Sequence, residues 1–169
     1  MNIYKMNENA QIPEYATSGS TCFDISGCFK QGDRLKSFNA WNKEQPIAVK
    51  GVGKIADAFQ LPPDMRVLIP TGLIFDVPEG HVIKMYIRSG TALKKGLTLA
   101  NGVGIIDSDY VEETFIMLLN KSDSLVTIEN GERLAQCLVE KTLQVDLSET
   151  QTKPEHKSER DGGFGSTGD

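Results

Sequence analysis

The segment in which polar groups are set most densely among apolar ones is Asn101-Gly102-Val103-Gly104-Ile105-Ile106-Asp107-Ser108-Asp109-Tyr110. A carboxylate directly after two isoleucines stands at a strand end, where it can face a cleft and orient a water molecule. By local chemistry alone, Asp107-Ser108-Asp109 reads rather as a plain turn, for which Asp and Ser are common. Arg88-Ser89-Gly90 puts a guanidinium, a hydroxyl and an unhindered backbone amide at a strand-to-helix junction, a combination suited to an anion. Ser89 reads as well as the N-cap of that helix. Glu132-Arg133-Leu134-Ala135-Gln136 reads by itself as a solvated charge and a strand-surface amide. The C-terminal Gly162-Gly163-Phe164-Gly165-Ser166-Thr167-Gly168 joins one aromatic, two hydroxyls and closely approachable backbone amides. Taken alone that reads as a passive tail, though the same make-up would suit a flap over phosphates.

The elements that must position these groups are short. Apolar runs of strand length, rich in β-branched and aromatic residues, lie at Val67-Leu68-Ile69, 72–77, 82–87, 114–119 and 124–128. Turns at Pro62-Pro63-Asp64, Pro70-Thr71-Gly72 and Pro78-Glu79-Gly80 punctuate them. Many short strands so spaced predict an all-β sandwich, jelly roll or barrel. Helix is scarce, its best candidate being Ser89 to Lys95, closed by Gly96. Residues 29–58 are polar, hold the only tryptophan, Trp41, and read as an inserted surface excursion with its own hairpin around Ile47-Ala48-Val49. The organisation predicted is one β domain over residues 1–147, carrying that excursion, and a mobile arm over 148–169 that lacks the apolar residues to pack.

Composition narrows the function classes. The chain has 169 residues, enough for one domain with a core. Its 18 basic against 23 acidic residues give a net charge of −5, the wrong balance for a general nucleic-acid binder. A small phosphate-bearing ligand needs only a few placed cations. Cys22, Cys28 and Cys137 have no framework spacing, and with only His81 and His156 they support no zinc site; reduced, partly buried thiols are expected. The opening residues lack the apolar stretch of a signal peptide, and no run is long enough to span a membrane. A cytoplasmic protein, or one in a host's cytoplasm if viral, is expected.

In chain order, Ala16-Thr-Ser-Gly-Ser-Thr-Cys22-Phe-Asp24-Ile25, Arg88-Ser89-Gly90, Gly104-Ile105-Ile106-Asp107-Ser-Asp-Tyr110, Gly131-Glu-Arg-Leu-Ala-Gln136 and Gly162-Gly-Phe164-Gly165-Ser166-Thr167-Gly168 resemble the five motifs of the trimeric dUTPase family. The resemblance covers nearly the whole chain apart from the insertion. This sequence departs from the pattern at Cys22, where Gly is usual, at Ile87, where Pro usually precedes Arg88, and at Val111-Glu112, which replace Arg-Gly. In the tail, Arg160 stands four residues before Phe164 instead of five, with Glu159 in the usual place of arginine.

The resemblance implies a dUTPase-like jelly roll of the β-clip type, assembled as a homotrimer with active sites shared between chains. It implies hydrolysis of dUTP to dUMP and pyrophosphate with Mg²⁺, a reaction of nucleotide metabolism that keeps uracil out of DNA and supplies dUMP. Carried over, Asn101, Gly104, Ile105 and Ile106 form the hairpin that reads uracil through backbone groups. Tyr110 lies against the deoxyribose, and Asp107 holds the 3′-hydroxyl and orients the attacking water. Arg88, Ser89, Gly90 and Gln136 hold phosphates, with Asp24 supporting them or the metal's water shell. Arg160, Gly165, Ser166 and Thr167 contact the terminal phosphates, and Phe164 stacks on the base. Mg²⁺ is expected on the triphosphate and waters, without direct protein ligands.

Two other readings follow from the same residues. A dCTP deaminase shares this fold but needs a glutamate base in the strand after Tyr110; residues 114–120 have none, leaving Glu112 and Glu113 at the turn. A regulatory binding protein would use the 29–58 insertion as its contact surface.

Overall fold

A computed structural model describes residues 1–159, in which alternation of inward apolar and outward polar residues organises the chain into strands. These are β1 (Asn2–Lys5), β2 (Phe23–Ser26), β3 (Arg34–Leu35), β4 (Ser37–Phe38), β5 (Ile47–Ala48), β6 (Ala58–Leu61), β7 (Arg66–Pro70), β8 (Leu73–Asp76) and β9 (His81–Ile87), followed by the single described helix α1 (Ser89–Lys95). Then come β10 (Leu97–Leu99), β11 (Gly104–Ile106), β12 (Phe115–Asn120), β13 (Val126–Glu129) and β14 (Arg133–Lys141). In β12 the period of two is plain: Ile116, Leu118 and Asn120 are buried, while Phe115 and Met117 face outward.

Two four-stranded sheets, ordered β10-β12-β7-β4 and β11-β9-β14-β2, carry the jelly roll, and every strand pairing is antiparallel. Ile25, Ile83, Met85 and Cys137 from one sheet meet Ile69, Ile116 and Leu118 from the other in one core. Phe23 and Phe75 stack within it, and Phe29 meets Phe59 edge-on at 5.3 Å between ring centroids. Burial pushes the Cys137 and Cys28 thiols above the usual thiol range, with the charges of Glu113 and Asp33 adding to it at Cys28. The two behave as small core hydrophobes rather than nucleophiles.

The insertion is not a surface excursion. Phe29, Leu35 and Val49 belong to the core, β3 pairs with β5, and β4 extends a main sheet by pairing with β7. The expected hairpin around residues 47–49 is present as β3–β5, but it is anchored from below. Three apolar residues scattered in a polar stretch hold it down, too sparse to register as a periodic pattern. Its tip carries Trp41, 79% exposed, in a loop held by Asn39 Oδ1, which accepts from the Trp41 and Lys43 amides, and tied to β7 by Arg66, which donates to the Asn39 carbonyl and Asn42 Oδ1.

The helix falls where the sequence puts it, and Gly96 ends it in the left-handed conformation (φ 63°) with its N–H on the Ala92 carbonyl. The cap expectation fails. Arg88 occupies the N-cap position with extended backbone, Ser89 is the first helical residue, and no side chain caps the helix. Beyond β14, residues 142–159 form neither strand nor helix and are exposed. Among the described residues no helix is long and apolar enough to cross a membrane.

Asn120 is the polar hinge of this end of the barrel. Fully buried, it donates from Nδ2 to the Leu61 and Ser124 carbonyls and accepts on Oδ1 from the Ser122 amide and hydroxyl. Asn120→Leu keeps the forked shape but leaves the buried Leu61 carbonyl without its donor and releases the Ser122–Ser124 turn, and is expected to cost about 2–5 kcal/mol. Urea denaturation measures this; a loss below 1 kcal/mol would mean the loop re-forms its bonds without the amide.

Candidate functional site

Asp24, Arg88 and Gln136 converge because three neighbouring strands of one sheet bring them there. Gln136 of β14 pairs with Asp24 of β2 on one side and with Tyr86 of β9 on the other, and Arg88 leaves β9 immediately after its last residue. They line a cleft of about 380 Å³ together with Ala16, Ser20, Thr21, Cys22, Ser89 and Gly90. Arg88 is fixed on two sides: Nε donates to Asp24 Oδ1 at 3.0 Å and Nη1 donates to the Arg133 carbonyl at 3.1 Å. The Asp24 side chain is only 19% exposed, and its second oxygen lies 3.2 Å from Nη1 of Arg133. A guanidinium held edge-on, several hydroxyls and a primary amide in a polar cleft are donors for oxyanions. A larger cleft of about 450 Å³ over Phe38, Val67, Leu68 and Met117 is mainly apolar and holds none of the residues singled out for chemistry.

Gly90 has a place here that the fold does not demand. A Cβ built on it meets nothing within 4 Å. Its missing side chain leaves space in the cleft rather than relieving a clash. Gly104 is the opposite case: a Cβ there would come within 3.1 Å of the Met85 Cβ, so the β11–β9 pairing itself calls for glycine.

The Asn101–Tyr110 group lies elsewhere. Ile106 pairs with Ile83, so Asp107 stands opposite Val82, at the far end of β9 from Arg88. Six residues of strand separate those ends, roughly 20 Å at about 3.3 Å per residue. Asp107 is exposed, and its carbonyl accepts from the Tyr110 amide at 3.2 Å, closing the turn. The Tyr110 hydroxyl donates to the Glu113 carbonyl at 2.8 Å, which pins the ring with 40% of the residue exposed. Ile105 points outward and Ile106 inward, as the strand alternation requires. One chain therefore keeps the Arg88 cleft and the strand-end carboxylate apart, at opposite ends of β9. Arg160, Phe164, Gly165, Ser166 and Thr167 lie outside the described residues.

Sequence reasoning undervalued Arg133, read as a solvated charge, and gave no role to Ser20, Thr21 and Cys22, which line the cleft. The signal for Arg133 was the apolar pair Leu134-Ala135, which breaks the period of two just after it.

Fold and clefts define an all-β protein equipped for an anionic ligand. The dUTPase family model matches residues 54–168. The chain is 36% identical over 166 residues to a deoxyuridine 5′-triphosphate nucleotidohydrolase of Hydrogenobaculum sp. (strain Y04AAS1), covering 98% of this chain and 96% of that one. It is 34% identical over 165 residues to the enzyme of the same name from Chlamydia muridarum, with coverage of 98% and 96%. Among solved structures it is similar to a dUTPase of Staphylococcus bacteriophage 80alpha with dUpNHpp, with TM-score 0.72, 22% identity and coverage of 99% of this chain and 97% of that one. A dUTPase from Streptococcus mutans gives TM-score 0.65 at 24% identity, over 86% of this chain and 99% of that one. The chain belongs to the dUTPase family.

Gly90→Ala separates the cleft's role from the fold's. Alanine in the helix is expected to raise stability by about 0.5–1 kcal/mol. The added methyl should weaken binding of inorganic pyrophosphate roughly tenfold, since crowding a fitted contact costs about 1–3 kcal/mol. Calorimetric titration checks this; unchanged affinity would remove Gly90 from the anion chemistry.

Proposed function

We propose that the protein hydrolyses dUTP to dUMP and pyrophosphate, in sites completed between chains of a homotrimer. The observation that carries this reading is the cleft in which Asp24, Arg88, Ser89, Gly90 and Gln136 meet, five of the residues expected to serve the phosphates. The relatives' shared name describes the same hydrolysis, and the bacteriophage neighbour holds a deoxyuridine nucleotide analogue. The distance between the half-sites supports the trimer. A single chain keeps Arg88 and Asp107 some 20 Å apart along β9, so a neighbour's Asn101–Tyr110 hairpin must face this chain's cleft.

In that arrangement the hairpin backbone from Asn101 to Ile106 reads the uracil edge. It rejects cytosine because the amino group would meet a donor. The Tyr110 ring, pinned by its hydroxyl, packs against the deoxyribose and excludes a 2′-hydroxyl. Asp107 holds the 3′-hydroxyl and orients the water that attacks the α-phosphorus in line. Arg88, the Ser89 hydroxyl, the Gly90 backbone and the Gln136 amide take up charge on the phosphate oxygens. Positioning and charge neutralisation do most of the work of such a reaction.

The donor set fits a hydrated Mg²⁺ that arrives with the triphosphate. The cleft offers one carboxylate, Asp24, and among the described residues no three His, Cys, Asp or Glu side chains gather to cage an ion. Bound there, the metal would neutralise phosphate charge, with Asp24, Ser20 and Thr21 near its waters. Residues 1–147 act as one β domain, and the arm of residues 148–169, with Arg160, Phe164, Gly165, Ser166 and Thr167, closes over the nucleotide of a neighbouring site.

The deaminase reading lacks its base. Glu113 spends its carboxylate on the Gly72 amide at 2.7 Å, and Glu112 is exposed on the turn.

Asp107→Asn keeps the size and most hydrogen bonding but removes the charge that orients and polarises water. With dUTP and Mg²⁺, kcat is expected to fall by about 10²–10⁴ while nucleotide binding is largely kept. Release of dUMP and pyrophosphate by the wild type, followed in parallel, tests the reaction itself; turnover by Asp107→Asn near the wild-type rate would sink the assignment.

A further inference from the structure

We propose that Arg133 is a positioning residue of the phosphate cleft: by holding one oxygen of Asp24 it keeps the charge of Arg88 available to the ligand. This rests on reading that cleft as the seat of the phosphates.

The starting point is a charge count. The described residues lining the cleft bring one cation, Arg88, and one anion, Asp24, which sum to zero. A neutral cleft is a poor seat for a polyanion, and a lone arginine–carboxylate pair with little solvent tends to close into a bidentate, mutually quenched fork. The pair here is not closed. Arg88 gives Asp24 only its Nε, and Oδ2 faces Nη1 of Arg133 at 3.2 Å. Arg88 turns its own Nη1 to the Arg133 carbonyl, and neither bond uses Nη2. With Arg133 included, the group carries one net positive charge.

Arg133 reaches Asp24 because of a defect in the strand. The β14–β2 register runs Cys137↔Phe23, Gln136↔Asp24 and Ala135↔Ile25, then slips, so that Arg133 faces Ser26. Leu134 and Ala135 are both fully buried in succession. Strict alternation from the outward Gln136 would turn Leu134 to solvent and Arg133 into the core. The bulge re-aims the arginine onto the face that holds Asp24, as bulges beside sites do. The Arg133 side chain is 58% exposed; it lines one cleft with Asp24 and another with Arg88, Gly90, Lys94 and Lys95, and it does not line the phosphate cleft itself. Its contact with the residues of the phosphate cleft is the ion pair with Asp24, and it acts through that carboxylate.

Replacing Arg133 by alanine leaves the backbone carbonyl that steadies Arg88 and removes the guanidinium that holds Asp24 Oδ2. Pyrophosphate affinity of the full chain, measured by calorimetry, should fall roughly tenfold. KM for dUTP should rise by a similar factor and by more than kcat falls. The inhibition constant of deoxyuridine, which has no phosphate, should stay as in the wild type, as should Tm. Arg133→Lys should restore most of the pyrophosphate affinity. Alanine binding pyrophosphate as the wild type does would overturn the proposal, and so would a loss that lysine does not restore or one that deoxyuridine shares. If the wild type itself binds no pyrophosphate and releases no dUMP, the reading of the cleft fails, and the role of Arg133 falls with it.

Discussion

The seven-pair ladder between β9 and β14, from Ala135↔Ile87 to Lys141↔His81, is the constraint on which the rest of the molecule depends. Its inward residues, Ile83, Met85, Ala135 and Cys137, are buried in the core, and a slip of one residue would turn them to solvent. The register is therefore rigid. It sets Gln136 beside Asp24 and holds the start of α1 against them, which makes one end of the sheet an anion cleft. Through β11 it fixes Asp107 at the opposite end. A sheet this well determined cannot bend to close a gap of that length, which is why the proposed reaction calls on a second chain.

Electrostatics then refine what the sheet places. The chain as a whole is acidic, with a net charge of −5, so its long-range field does not favour a triphosphate. Attraction has to be local. Asp24 decides how much of it there is, because it orients Arg88 and also threatens to neutralise it. Sharing the carboxylate between Arg88 and Arg133 resolves the conflict. The same logic separates the thiols: Cys137 and Cys28 are buried and hard to ionise, while Cys22, where glycine is usual in this family, lines the cleft.

Most strands were legible in the sequence because their apolar runs are bounded by turn residues: Val67 to Ile69 and 82–87 fall within strands, and 72–77 and 114–119 overlap them to within a residue at the ends. The helix was legible from Gly96. The site was legible mainly as a pattern of motifs; local chemistry alone left Asp107 as a turn and Gln136 as a surface amide. What was not legible has physical causes. The insertion packs through three isolated apolar residues, Phe29, Leu35 and Val49, whose burial depends on partners remote in sequence. Ser89 invited a cap reading that the extended backbone of Arg88 excludes. The role of Arg133 depends on a bulge, and a register slip is a property of two strands together.

The central claim is that phosphates and sugar are held by residues of different chains. Chains carrying Arg88→Ala and chains carrying Asp107→Asn should each be inactive towards dUTP. Mixed at equal amounts, unfolded and refolded together, they should form some sites with both halves intact. With random assembly about a quarter of sites are of that kind, so about a quarter of wild-type activity should return. If each site belonged to a single chain, no mixture would contain an intact one, and activity would stay at the level of the separate variants.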